Sequence, residues 1–345
     1  MLRLNRVDSL QCRTQREGVR GLGVALALVA WGLGAVVPAQ AWGGKVELKR
    51  RFRPGQKMVY ATKLHTLAQI QSDPPGLKDL LPPVPTEFNV EQQNTVTVQR
   101  VSADGTAEVQ NRFDQFDIQS DLAERVSGNV QDSAQEVQDE LSRKVAGHAL
   151  TARYDPRGRL LGFEGAEEML GGLEPAMREP IRQALRLLLE HMGGNTLYPD
   201  HKVKRGEEWK QKLDAEPSEN YPFKVQGEST MHYAGKTRYR GVKAAIVDFQ
   251  FKNLMTPSLE QMRQTGPIGM LEARGLGLEI RIEGQGQGRA LLALNDGRVL
   301  QTHSTIHQTL SVRLTGATPL PLPTSQPVKL EIRSDTEMNV EGSGK

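Results

Sequence analysis

Apolar and polar residues alternate along most of the chain with a period of two. Asn94 to Val101 alternates, a turn follows at Ala103-Asp104-Gly105, and Thr106 to Ile118 returns with Phe113 and Phe116 in it. Further on, Lys224 to Tyr233 predicts a strand that turns near Gly235. Lys243 to Leu254 then sets Ala245, Val247, Phe249 and Phe251 on one face. Successive side chains of a strand point to opposite faces, so this pattern predicts antiparallel sheets packed on one side. Val328 to Val340 alternates likewise and predicts one more strand, with a disordered tail from Glu341 to Lys345.

The period changes in the middle of the chain. Glu164 to His191 carries Met169, Leu170, Met177, Ile181, Leu185, Leu188 and Leu189 at mostly helical spacing. Gly171-Gly172 and Pro175 divide it into a short and a longer helix, Pro180 starts or kinks the second, and Gly193-Gly194 stops it. A weaker helical pattern covers Ser258 to Arg274, interrupted at Gly266-Pro267. Asp73 to Pro85 and Thr318 to Pro327 are Pro-rich and predict non-core connections, the second an extended linker.

Two pairs of similar passages predict two related halves. Arg53-Pro54-Gly55-Gln56-Lys57-Met58-Val59-Tyr60 matches Lys204-Arg205-Gly206-Glu207-Glu208-Trp209-Lys210 in placing a basic residue and a Gly turn before a strand with an aromatic. Ala152 to Leu161, containing Asp155-Pro156-Arg157-Gly158-Arg159, parallels Ala293 to Leu300, containing Asp296-Gly297-Arg298; both are hairpin signals. The expected organisation is a signal peptide (1–41), a first β-rich half (42–163), a helical connector (164–195), a second β-rich half (196–316), and a Pro-rich linker with terminal strand and tail (317–345). The fold class is α+β, mostly antiparallel β, with two related curved-sheet halves joined by a helical connector. The pattern leaves open whether the halves form two domains or one continuous sheet.

The amino end changes this picture by predicting export. Arg3, Arg6, Arg13, Arg16 and Arg20 precede an uncharged apolar run from Gly21 to Val37, and Pro38-Ala39-Gln40-Ala41 supplies small residues for cleavage before Trp42. The alternative is an uncleaved anchor, since about 20 apolar residues span a bilayer. Cys12, the only cysteine, lies before the apolar run, so the processed chain has no thiol for disulfides or thiolate chemistry. The whole chain has 44 Lys and Arg against 41 Asp and Glu. Residues 1–41 hold five Arg against Asp8 and Glu17, so the remainder carries 39 of each sign. Zero net charge excludes the electrostatic footprint of a nucleic-acid-binding protein. The long charged runs and helical centre also argue against an outer-membrane barrel.

Candidate chemistry is thin. His303 and His307 have the spacing of a helical metal pair, but Ser304-Thr305-Ile306 between them alternates as a strand. Four residues of strand separate them by roughly 13 Å, so they are expected to be two residues of a polar face. Asp200, His201, Glu207 and Glu208 could form an acid–base group, yet they sit in a polar turn with no Gly-x-Ser-x-Gly nucleophile. Gly284-Gln285-Gly286-Gln287-Gly288 lacks the Lys-Ser/Thr of a phosphate loop and is expected to be a turn, bulge or barrel bend. No catalytic residue, metal ligand or cofactor is expected, and ligand-binding residues stay unassigned. The apolar passages Leu77–Leu81, Leu185–Leu189 and Met255–Leu271 suggest a cavity for lipid or another apolar ligand, against the alternative of ordinary core.

The strand lead-in Gly206-Glu207-Glu208-Trp209 and the hairpins at Asp155–Arg159 and Asp296–Arg298 resemble those of bacterial secreted and envelope proteins built from repeated antiparallel sheets. The resemblance covers Leu48 to Leu314, and its motifs are structural. In outline, a helix against curved strands is also similar to the periplasmic carriers of lipoproteins and lipids. Export, a β-rich architecture and the absence of catalytic motifs together lead to the expectation of an exported, periplasmic or extracellular, non-enzymatic envelope protein that binds an apolar ligand, with no stable transmembrane segment after processing. An envelope scaffold with a protein partner is the alternative, and a hydrolase without a recognisable motif the third reading.

Overall fold

The last strand of the chain pairs with the first, and this contact organises the structure. The computed structural model describes residues 44–73, 86–121, 129–171, 178, 182, 185, 186, 189, 197–217, 223–258, 277–315 and 328–343. Its strands are β1 (Lys57–Asp73), β2 (Glu87–Val101), β3 (Ala107–Ser120), β4 (Ala149–Tyr154), β5 (Leu160–Glu164), β6 (Glu208–Ala215), β7 (Phe223–Tyr239), β8 (Val242–Pro257), β9 (Gly277–Ala293), β10 (Val299–Thr315) and β11 (Val328–Ser343). They form one eleven-stranded antiparallel sheet in the order β5-β4-β3-β2-β1-β11-β10-β9-β8-β7-β6. Strands β1–β5 and β6–β10 each run as a meander, and β11 fills the gap between β1 and β10. Strands drawn from residues before and after the middle of the chain therefore share one continuous sheet.

Most of the alternation is realised as expected, with three corrections. Gly235 does not turn the chain; it sits at a register shift inside β7, and the reversal comes at Arg240 and Gly241, both at positive φ. Glu341 to Ser343 are not disordered but the end of β11, where Val59 and Tyr60 pair with Ser343 and Gly342. Gly284 to Gly288 is neither turn nor bulge: it lies inside β9, paired without a register shift to both β8 and β10. Local Gly and turn signals yield here to long ladders that satisfy every backbone group in the run.

Helix α1 (Asn129–Val145) lies between β3 and β4 and was missed by the sequence reading. It carries few apolar residues, but Leu141 and Val145, four apart, are buried against the sheet, and Arg143 and Lys144 complement its carboxyl end. Helix α2 (Ala166–Leu170) is the short helix expected before Gly171, and Arg178, Arg182, Leu185, Arg186 and Leu189 are helical beyond it. These helices cover one face of β1–β4, here the inner face. Met58, Leu64, Phe88, Val90, Phe113, Phe116 and Ile118 meet Leu141, Met169, Leu170, Leu185 and Leu189 there. Each such side chain contributes about 1.5–3 kcal/mol on burial. The apolar Leu185–Leu189 passage is thus core. The helical pattern after Ser258, the Pro-rich segments 74–85 and 318–327, and the signal segment lie outside the described residues, as does the apolar stretch Leu77–Leu81. No helix among the described residues is long and apolar enough to cross a membrane.

The tight turns collect at one end of the sheet, with Gly55, Gly105, Gly158, Gly206, Gly241 and Gly297 all at positive φ. An extended segment, Lys45 to Arg53, crosses this end as a strap. Val46 exchanges backbone hydrogen bonds with Val203 (2.8 and 2.9 Å), Arg51 N donates to Asp296 O (2.8 Å), and Gly55 N donates to Val98 O (2.8 Å). Leu48 packs with Leu197, Tyr198, Val203, Trp209 and Met231.

Thr336 pairs with Thr66 of β1 and Ile306 of β10 at the middle of β11, and the buried Thr66 and Thr336 hydroxyls lie 2.9 Å apart. Proline there would remove a ladder donor at the sheet centre. Thr336→Pro should lower unfolding free energy by about 1–3 kcal/mol for the buried acceptor left unpaired, read as a reduced midpoint in equilibrium urea unfolding. A midpoint equal to that of the parent would show that β11 does not hold the sheet.

Candidate functional sites

Three places on this frame bring chemistry together. The first is the strap end. Arg50 and Asp296 are each 3% exposed. Asp296 accepts from Arg298 N (3.1 Å) and from Gln56 Nε2 (2.8 Å), and the Arg298 guanidinium lies 3.4 Å from its carboxylate. Arg50 reaches the Asp296 carbonyl (3.4 Å) and Met58 Sδ (3.6 Å), and sits 4.5 Å above the Phe52 ring, which stacks on Tyr154. Tyr198 donates to Gly297 O (2.6 Å), and burial pushes its phenol far above the ordinary value. These groups act as a buried polar lock between strap and β9–β10 turn.

The second is the exposed turn before β6, where three of the four residues considered as an acid–base group do meet. His201 Nδ1 lies 2.7 Å from Asp200 Oδ1 and its Nε2 2.7 Å from Glu207 Oε1, while Lys204 N donates to Glu207 Oε2 (3.1 Å). Glu208 points elsewhere, onto the outer face of the sheet. The hydrogen bonds to Asp200 and then Glu207 raise the His201 pKa, while the Lys204 amide and His201 lower that of Glu207. The cluster lies at the surface, with Asp200 and His201 exposed and Glu207 half-buried, and serves as a turn staple.

The third is the outer face of β7–β10, where two adjoining concavities of about 490 and 530 Å³ share Thr230, Gln250 and Gln287. His303 borders one and His307 the other. Both are on the same face of β10, as a strand requires, with Nδ1 2.7 Å from Asn339 Oδ1 and 2.5 Å from Asp335 Oδ1 respectively. They do not converge on one centre, and no group of three or more His, Cys, Asp or Glu among the described residues is arranged to hold a metal ion. Asp248 is bridged by both Arg289 Nε and Nη2, the latter at 2.9 Å.

On the opposite, inner face the Gln-Gly alternation of β9 turns its glycines inward, against Phe249, Phe251 and Asn253 of β8. A Cβ on Gly286 would lie 2.6 Å from the Phe251 ring, so glycine is what lets that ring lie flat over β9. Next to this platform, towards the end of the sheet opposite the tight turns, Val225, Met255, Ile282, Leu310, Ile332 and Ile70 form an apolar row across six neighbouring strands. Of the apolar passages singled out by sequence, only Met255 falls in this row; its partners come from five other strands and carry no local signal. The chain matches no protein-family model, and no curated protein aligns with it significantly.

Two measurements probe these sites. Gly297 and Gly241 both have positive φ, but a Cβ on Gly297 would collide with the Lys49 backbone, whereas one on Gly241 meets nothing within 4 Å. Each Gly→Ala change carries about 1–2 kcal/mol of left-handed strain. Gly297→Ala should therefore lower the melting temperature further than Gly241→Ala, by the cost of displacing the strap. For His201, a raised folded pKa means stability fully present below the unfolded value and lost as pH rises through the folded one. Asp200 and Glu207 are shifted down, so their share is lost as pH falls through their folded pKa values. An NMR titration should place His201 above the ordinary pKa of about 6.5, and Glu207→Gln should bring it down.

Proposed function

We propose that the protein is an exported, non-enzymatic envelope protein that carries an apolar ligand, such as a lipid, on the inner face of its sheet. The observation that carries this reading is the apolar row from Val225 to Ile70, at the end of the sheet opposite the tight turns. It adjoins the glycine platform under Phe251, and a second tier, Phe223, Ile280, Val312 and Leu330, is only partly buried. With Met255, Ile282, Leu310 and Ile332 buried, that second tier is the apolar surface left for a ligand taken up mainly by burial of hydrocarbon. Export is supported by the basic, apolar and small-residue succession of the first 41 residues.

The reading includes an architecture of two related halves around a helical connector. The same hydrogen bonds recur at both strand lead-ins, and this supports it. Gln56 N to Arg53 O and Glu207 N to Lys204 O are both 3.0 Å, and Gly55 N and Gly206 N donate to Val98 O and Tyr233 O at 2.8 and 2.9 Å. Register shifts follow at Val98/Arg100 in β2 and at Tyr233/Gly235 in β7. In the two hairpins, Asp155 Oδ1 accepts from Arg157 N and Arg159 N, and Asp296 Oδ1 from Arg298 N. Five strands per half, with β11 added between them, is the arrangement a duplicated meander would give.

Native mass spectrometry of protein purified from its own host, followed by organic extraction, tests the carriage reading. A stoichiometric apolar adduct is expected. Ile280→Lys, which puts a charge into the half-buried tier, should reduce adduct occupancy roughly tenfold or more. A clean apo mass from the parent protein would sink the idea.

A further inference from the structure

We propose that the concave outer face of β7–β10 is a binding site for an uncharged oligosaccharide, separate from the inner-face apolar row and not dependent on it. Its centre is a single register row in which Thr230, Gln250, Gln287 and Thr305 stand side by side on four consecutive strands. Strands lie about 4.8 Å apart, so the row offers a hydroxyl or amide at a repeat close to the advance of one sugar ring. The two adjoining concavities along this row, about 490 and 530 Å³, give room for several rings.

Two further observations set the chemistry. First, none of these four side chains hydrogen-bonds to another described residue, whereas most of the charged groups around them are paired. Asp248 holds Arg289, Lys210 Nζ lies 2.6 Å from Glu228 Oε1, and His303 and His307 hold Asn339 and Asp335. Most of the nearby charges, Glu208 and Lys252 excepted, are thus committed to partners, and the neutral donors and acceptors of the row are left open. Second, the surroundings balance: Lys210, Lys252 and Arg289 stand against Glu208, Glu228 and Asp248. No excess of either sign attracts a polyanion or a polycation.

Position excludes the peptide alternative on physical grounds. A peptide that adds to a sheet does so at an edge, through backbone hydrogen bonds. Strands β7–β10 are interior, with both backbone edges paired, so only side-chain amides and hydroxyls face the ligand. No apolar side chain stands in the row to receive a lipid chain. A neutral, hydroxyl-rich chain satisfies all of these conditions, because it can both donate to the amide oxygens and accept from the amide nitrogens.

The test is an NMR titration of the isotope-labelled full chain with four probes: chitotetraose, maltotetraose, a heparin tetrasaccharide, and a Gln/Ser-rich peptide. At least one of the two neutral glycans should give saturable shifts confined to β7–β10. The Gln250→Ala, Gln287→Ala double variant should weaken that binding roughly tenfold with an unchanged melting temperature. Ile280→Lys should leave it intact, which separates failure here from failure of apolar carriage. Absence of saturation with both neutral glycans overturns the proposal. So does equal affinity in the double variant, or stronger binding of heparin or of the peptide.

Discussion

The structure depends on one long-range pairing. Strand β11, made from the end of the chain, is hydrogen-bonded along its length to β1 on one side and β10 on the other. Without it, two five-stranded meanders would each present a long unpaired edge of about 15 residues, the kind of edge that recruits other chains. With it, the two free edges are moved to short strands. These are β5 with five residues and β6 with eight, the latter carrying Lys210 and Lys212. The cost is closure of a loop spanning nearly the whole chain, which grows only slowly with length.

The strap acts on the same problem at one end of the sheet. It ties the lead-in to β6, the β9–β10 turn and the end of β2 into one backbone network. Burying Arg50, Arg298 and Asp296 there is expensive unless their contacts are complete, and the lock is held by Gln56, Met58, Phe52 and the Asp296 carbonyl. Such a set of contacts specifies where the strap lies more than it adds net stability.

The two faces of the sheet divide the chemistry. Period-two alternation in β9 puts Gln285 and Gln287 outward and Gly284, Gly286 and Gly288 inward. One run thereby makes a polar trough on one side and a flat platform for Phe251 on the other. An apolar ligand and a hydroxyl-rich one would meet the molecule on opposite faces of the same strands.

The period-two pattern, the glycine-led strand starts and the Asp-Gly-Arg hairpins are local properties, and so β2, β3, β7, β8 and β11 were legible from residues 94–118, 224–254 and 328–340. Helix α1 was not, because Leu141 and Val145, its buried side chains among those described, are only a partial stripe in a polar run. The split of Glu164 to His191 was visible in Gly171-Gly172, and its burial was not. The candidate sites were legible only in fragments. His303 and His307 could be placed on one strand face, and Asp200, His201 and Glu207 in one turn. The row Thr230–Gln250–Gln287–Thr305 and the apolar row from Val225 to Ile70 exist only as register, in which each residue's neighbour lies on another strand. Sequence by itself determined that most of these runs form strands and which side of each is polar, since both follow from bonds and contacts a few residues apart. Only tertiary structure decided strand order, register and the place of β11, because these rest on pairings between residues as much as 284 positions apart, Val59 with Ser343.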